Sequence, residues 1–171
     1  MSSRYSRVEG LSSDHETEQF DCGATAQTEW LRKYALISHT TGLSRVKVVC
    51  ERGTARVVGY HALATGSIAH ADAAAGVKAG MPRYPIPVVL LTRLGVNQGE
   101  QGKGLGKALV VDAIRRVLAA ADEIGIRALL IHAEDAAARD FYMHLAEFEE
   151  SPSDPLHLML RLNALKATVG S

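Results

Sequence analysis

Along the chain, the pattern of apolar and polar positions switches between a period near 3.6 and a period of two, and each switch predicts an element. Residues 14–42 read as mostly helical. Trp30, Leu31, Tyr34, Ala35 and Ile37 recur at three- and four-residue spacing, and Gly42 is placed to stop the helix. Residues 45–51 (RVKVVCE) alternate, with Val46, Val48 and Cys50 on one face and Lys47 on the other. After a turn at Gly53, residues 56–68 (RVVGYHALATGSI) predict a second strand and hence a hairpin. The Ala/Gly-rich stretch 69–85, running into Pro82, Pro85 and Pro87, predicts a loop.

Residues 88–96 (VVLLTRLGV) form a continuous apolar run broken by Arg93, which suits a central strand covered on both faces. A glycine-rich turn over 98–106 follows. A helix is then expected over 105–124. Its apolar stripe is Leu109, Val110, Ala113, Ile114, Val117, Leu118 and Ala121, and Gly125 is its stop. Residues 127–133 (RALLIHA) read as another buried strand. Glu134 or Asp135 caps a short helix running to about Leu145, with Phe141 and Leu145 one turn apart. Residues 156–162 (LHLMLRL) give a last alternating strand. The order is roughly αββ-βαβαβ: an α/β chain with a mixed sheet flanked by helices and a strand–glycine turn–helix at its centre.

Length and composition narrow this picture. The chain has 171 residues, 47% apolar and 22% charged, which points to one globular domain and excludes a disordered chain. Cys22 and Cys50 stand far apart with no CxxC, and the seven histidines show no HxxxH or HExxH spacing, so no metal centre is expected. No apolar run approaches 18 residues, and the first 20 carry Glu9, Asp14, Glu16 and Glu18. Neither a membrane span nor a secretory leader is expected, which leaves the cytoplasm. The formal charge is zero but segregated along the chain. Residues 1–30 carry a net −4, residues 31–116 a net +9 and residues 117–171 a net −5. A basic middle third can form a patch that steers polyanions, or it can disperse on folding.

The sharpest local signal is Gln101-Gly102-Lys103-Gly104-Leu105-Gly106, which follows a strand and opens a helix. Such glycines let several N–H groups converge on a phosphate at the positive end of a helix dipole, and Lys103 and Lys107 add charge. A Walker A loop requires GxxxxGK[ST], but Ala108 follows Gly106-Lys107 and Gln101 occupies the first glycine position. A dinucleotide fingerprint requires GxGxxG and a preceding parallel βαβ half, and the chain offers GxGxG without one. What remains is [Q/R]xxGx[G/A] over Gln101, Gly104 and Gly106. A glycine-rich turn that binds nothing is the bland alternative.

That pattern resembles the pyrophosphate loop of the acyl-CoA N-acyltransferases, the GNAT superfamily, and the resemblance runs from about Leu11 to Leu162. It implies one acyltransferase domain over residues 1–171, its core about 11–162, with a central splayed mixed sheet and acetyl-CoA as co-substrate. The implied cofactor-binding residues are Leu94, Gly95, Val96, Gln101, Gly102, Lys103, Gly104, Leu105, Gly106 and Lys107. Gly95 is suited to a bulge at the strand end. Tyr142 matches the tyrosine that protonates the departing thiolate in this superfamily; the alternative is a core aromatic. A Gly-Phe pair usually follows that tyrosine, and the chain departs from this with Ala146-Glu147-Phe148. A backbone N–H near Val96 is the implied donor to the oxyanion. A free α-amino group near 7.7–8.0 calls for no strong base. Glu51 and His132, at strand ends, are candidate bases with structural or solvent-facing alternatives.

Several further segments are similar to the GNAT toxins of bacterial toxin–antitoxin pairs. They are residues 20–23 (FDCG), 29–32 (EWLR), 44–46 (SRV), 58–60 (VGY), 85–94 (PIPVVLLTRL) and 151–156 (SPSDPL). This resemblance implies acetylation of the α-amine of aminoacyl-tRNA, a ribbon-helix-helix antitoxin partner and a homodimer. Arg93, Lys33, Arg83 and Arg45, with Arg32, are then the candidate tRNA contacts. With only 5% aromatics, phosphate contacts are expected to outweigh base stacking. A structural salt bridge is the alternative for Arg93, and core anchoring for Trp30. Two other functions compete: a small-molecule or protein-amine acetyltransferase, and a non-catalytic CoA-binding module.

Overall fold

The computed structural model describes residues 4–169. Its strands are β1 (Glu9–Gly10), β2 (Arg45–Cys50), β3 (Val57–Ile68), β4 (Ile86–Val96), β5 (Ala128–His132), β6 (Glu149–Glu150) and β7 (His157–Arg161). Its helices are α1 (Thr25–Lys33), α2 (Ala35–Thr41), α3 (Ala75–Lys78), α4 (Leu105–Ala121), α5 (Ala136–Leu145) and α6 (Leu162–Val169). Strand order is β1-β2-β3-β4-β5-β7-β6. β4 and β5 are parallel, whereas β1–β2, β2–β3, β5–β7 and β6–β7 are antiparallel, so the expected mixed sheet is present. Among the described residues no helix is long and apolar enough to cross a membrane.

The chain divides into two compact units, and β4 and α4 each contribute residues to both. The first unit comprises the residues up to Ala64 and Thr92–Asp112. One part of its core gathers Phe20, Leu31, Val46, Val48 and Tyr60. Another gathers Tyr5, Val49, Val58, Leu105 and Leu109. The second unit comprises Thr65–Leu91 and the chain from Ala113 onward. There Ala73, Val77, Ile86, Val88, Leu130 and Met159 pack together. The alternation read in β2 and the stripe read in α4 are what place these side chains inside: Val46, Val48, Leu109, Val110, Ala113, Ile114 and Val117 are all buried.

Residues 14–24 are not helical, although the helical reading extended over them. Their backbone groups are spent on distant partners. Glu16 N–H donates to Ala55, Val57 N–H donates to Glu16, and Gln98 N–H donates to Asp21, at 2.8–3.0 Å. The helix therefore starts at Thr25 and breaks at Tyr34. Gly42, at φ +81°, ends α2 as read, with the Leu43 N–H returning to the Ser38 carbonyl at 3.0 Å. The expected loop over 69–85 contains α3, because Glu149 accepts from the Gly76 N–H at 3.0 Å and Arg127 donates to the Val77 carbonyl at 2.9 Å. α4 stops at Ala121, before Gly125. β1 and β6, two residues each, carry no periodic signal of their own, whereas α6, with Leu162, Leu165 and Val169 at helical spacing, was not read.

Candidate active site

The glycine-rich turn follows β4. The parallel ladder to β5 covers only Val88–Leu91 paired with Ala128–Ile131, while β4 runs on to Val96. Gly102 and Gly104 sit at φ +78° and +86°, a region that L side chains rarely adopt. A Cβ built at either would meet no protein atom within 4 Å, so this face of the turn is open. The Gly104 carbonyl accepts the Ala108 N–H at 3.1 Å as α4 begins. The N–H groups of Leu105, Gly106 and Lys107 therefore have no acceptor within the helix and lie at its positive end. Open backbone donors beside Lys103 and Lys107 fit a phosphate.

Side chains around the turn brace it. The Gln101 amide nitrogen donates to the carbonyls of Cys22 and Val96, both at 2.9 Å, so this side chain holds the loop against β4. Glu100 accepts two bonds from the Arg4 guanidinium, at 2.8 and 3.2 Å, and one from the Tyr5 hydroxyl at 2.7 Å. Those bonds push the Glu100 carboxyl down to about 2. Lys103 lies 3.7 Å from Glu100 and donates to the Gly99 carbonyl at 3.2 Å. Leu105 is buried, which leaves only its backbone for a ligand.

Leu94 and Val96 pack against the core beneath the turn. Gly95 has a reason that the sequence did not suggest. A Cβ there would stand 2.9 Å from Tyr60 Cε1 and 3.2 Å from Phe20 Cζ, so the two rings occupy the space a side chain would need. The Asn97 N–H is already spent on the Val58 carbonyl at 2.8 Å.

In the second unit, Asp135 caps α5 by accepting the Ala138 N–H at 2.8 Å. The helix carries Tyr142 on its buried side, while Phe141 is partly exposed. Burial, with a smaller contribution from the Glu134 charge, raises the Tyr142 pKa well above the usual phenol value, so the hydroxyl stays protonated. Phe148 is buried and meets Tyr142 edge-on, ring centroids 6.1 Å apart. Ala146 adopts φ −159°, ψ 171°, an extended conformation that needs no glycine. The departure from the Gly-Phe pattern is thus accommodated.

The basic candidates are held differently from one another. Lys33 pairs with Glu29 at 3.6 Å, and Arg45 donates to the His39 carbonyl at 2.9 Å, at the end of α2. Arg32 is exposed in the last turn of α1, and Arg83 is exposed before β4. Arg93 donates to the Gln27 side-chain oxygen at 3.3 Å, and its guanidinium carbon lies 5.6 Å from the centroid of the Trp30 ring. Of the candidate bases, Glu51 is engaged by Arg56. His132 stacks on His157 with centroids 3.9 Å apart, and burial together with that neighbour holds it below the usual imidazole range.

Sequence reading missed Arg4, Tyr5 and Glu100 around the turn, and Gln27 beside Arg93; no local pattern joins residues so far apart. It also missed buried His61, whose Nε2 lies 2.8 Å from Asp112. Among the described residues Glu9, His15 and Cys50 approach one another closely enough to suggest a metal site. However, His15 Nδ1 accepts the Ser12 N–H at 2.9 Å, so the ring proton sits on Nε2, facing Glu9 at 2.8 Å. That is the wrong tautomer for ligation through Nε2.

Residues 14–148 match the acetyltransferase (GNAT) family. The chain is 49% identical over 168 residues to a tRNA-acetylating toxin of Mycobacterium tuberculosis (strain ATCC 25618 / H37Rv), covering 98% of this chain and 99% of the relative. In structure it is similar to AtaT complexed with acetyl-methionyl-tRNAfMet, with a TM-score of 0.86 and 25% identity over 94% of this chain and 97% of that one. It is also similar to a tyrosine-to-phenylalanine mutant of AtaT bound to the C-terminus of the antitoxin AtaR and acetyl-CoA. There the TM-score is 0.82, at 25% identity over 98% of this chain and 99% of that one.

Proposed function

The chain belongs to the acetyltransferase (GNAT) family, and from that premise we propose that it is a toxin that moves the acetyl group of acetyl-CoA onto the α-amine of an aminoacyl-tRNA. The observation that carries this reading is the end-to-end likeness to a tRNA-acetylating toxin. The open turn at Gly102 and Gly104 supports the co-substrate, because its free donors and two lysines suit a pyrophosphate. β4 and α4, running through both units, support reading residues 1–171 as one acyltransferase domain, its core about 11–162.

Bound acetyl-CoA supplies a thioester whose carbonyl a neutral amine can attack. In this reading the backbone of residues 102–107, with Lys103 and Lys107, binds the pyrophosphate, and residues 94–96 line the pantetheine arm. A backbone N–H near Val96 donates to the developing oxyanion. Tyr142 gives its hydroxyl proton to the departing thiolate. The α-amine, titrating near 7.7–8.0, is neutral often enough at physiological pH to need no strong base. Arg93, Lys33, Arg83 and Arg45, with Arg32, take acceptor phosphates. An acetylated α-amine cannot attack the peptidyl ester, so elongation stops.

The same reading places the protein in the cytoplasm, as a homodimer restrained by a ribbon-helix-helix antitoxin. In cell-free translation, the protein with acetyl-CoA is expected to halt synthesis and leave an acetyl group on the α-amine of aminoacyl-tRNA. Normal translation, with efficient acetylation of polyamines or lysine side chains instead, would replace the toxin reading with a general amine acetyltransferase.

A further inference from the structure

Arg93 interrupts a largely apolar strand and is half-buried, so the partners around its charge matter. Those partners are neutral. Its Nη1 donates to the Gln27 amide oxygen at 3.3 Å, and the guanidinium sits over the Trp30 ring. Gln27 and Trp30 are one turn apart on α1 and share a face. The seat is fixed from behind. Tyr60 lies nearly parallel to Trp30, 6.0 Å away at 13°, and its hydroxyl donates to the Gln27 carbonyl at 2.7 Å. Phe20 meets Tyr60 edge-on at 5.6 Å.

Three other cations of the same unit sit against carboxylates instead. Arg4 is paired with Glu100, Lys33 with Glu29 and Arg56 with Glu51. Among the described residues no carboxylate stands within 4.0 Å of the Arg93 guanidinium. A guanidinium offers five N–H donors, and among the described residues one hydrogen bond, to Gln27, engages them. A carboxylate at this seat would cancel the charge, and an incoming anion would have to displace it. An amide oxygen and a π face orient the group and leave the charge intact.

We infer that Gln27 and Trp30 are positioning residues that present Arg93 as an uncompensated cation to a phosphate of the acceptor RNA. This rests on the aminoacyl-tRNA reading. The partners are neutral by choice of residue: Gln27→Glu would place a carboxylate within reach of the guanidinium and cancel its charge.

The test titrates deacylated tRNA, at several salt concentrations, into the wild-type protein, Gln27→Glu and Trp30→Leu. Gln27→Glu is expected to weaken binding about tenfold near 0.15 M salt. It should also make the log–log salt slope shallower by about one phosphate contact, ~0.7–0.9. Its melting temperature and its stabilisation by acetyl-CoA should match or exceed those of the wild type. Trp30→Leu should raise KM for aminoacyl-tRNA and leave kcat at saturation near wild type. In an Arg93→Ala background Trp30→Leu should cost no further affinity, because the two changes remove one contact. If Gln27→Glu keeps wild-type affinity and slope while the wild type binds and acetylates tRNA, the positioning role is overturned and the tRNA reading stands. If the wild type neither binds tRNA nor acetylates aminoacyl-tRNA, the tRNA reading has failed and this inference falls with it.

Discussion

The Tyr5 hydroxyl donates to Glu100 at 2.7 Å, although the two residues lie 95 positions apart. Arg4, beside Tyr5, adds two bonds to the same carboxylate. Glu100 closes the short 3-10 turn over Gln98–Glu100 that leads into the glycines, so the N-terminal stretch clamps the entrance to the glycine-rich turn.

Glu100→Gln should lower the melting temperature at neutral pH and weaken stabilisation by acetyl-CoA, because the clamp loses its charge. The folded-state carboxyl is held at about 2, below its ordinary 4.5, so its stabilising effect is complete above 4.5 and fades as pH falls towards 2. The melting-temperature gap between wild type and mutant should therefore be widest above pH 5 and close on acidification. A gap that stays constant down to pH 2 would count against the clamp.

Gly104→Val should abolish the melting-temperature rise that acetyl-CoA gives the wild type. A Cβ there would meet no protein atom within 4 Å, so the cost to folding comes mainly from the left-handed backbone, roughly 1–2 kcal/mol. Scans with and without acetyl-CoA separate the two effects. Equal acetyl-CoA stabilisation of mutant and wild type would remove the turn from the binding site.

Tyr142→Phe should lower kcat about 10²–10⁴-fold and leave acetyl-CoA affinity nearly unchanged, since the proton is needed only as the thiolate leaves. Burial keeps this hydroxyl protonated well past the ordinary phenol value, so no loss of rate below about pH 10 should trace to Tyr142. Steady-state rates across pH, together with acetyl-CoA titration, check both points. Near wild-type turnover in the mutant would leave Tyr142 as a packing residue beside Phe148.

Gly95→Ala should destabilise the fold by about 1–3 kcal/mol, because the new methyl would press on Tyr60 and Phe20 inside a packed core. Chemical denaturation measures this directly. A neutral result would mean that the rings yield, which their packing on Trp30 and Leu31 opposes.

The elements of the candidate site were legible in the chain because their signals are local. A strand followed by GKGLG and an apolar stripe could be read without a fold, and β4, the turn and α4 stand where that reading placed them. Asp135 as a cap and Gly42 as a stop depend only on neighbouring backbone, and both hold. Extending the helix back over residues 14–24 was wrong, because hydrogen bonds to Ala55, Val57 and Gln98 outcompeted the helix there. What the tertiary structure alone decided is which side chain meets which across long stretches of chain: Glu100 with Tyr5, Gln27 with Arg93, the rings that forbid a side chain at Gly95. Periodicity records which face of an element is buried, and motif spacing records where backbone can approach a phosphate. Neither records the partner packed against that face, because partner choice is made when distant segments collapse together and their polar groups must find one another away from water.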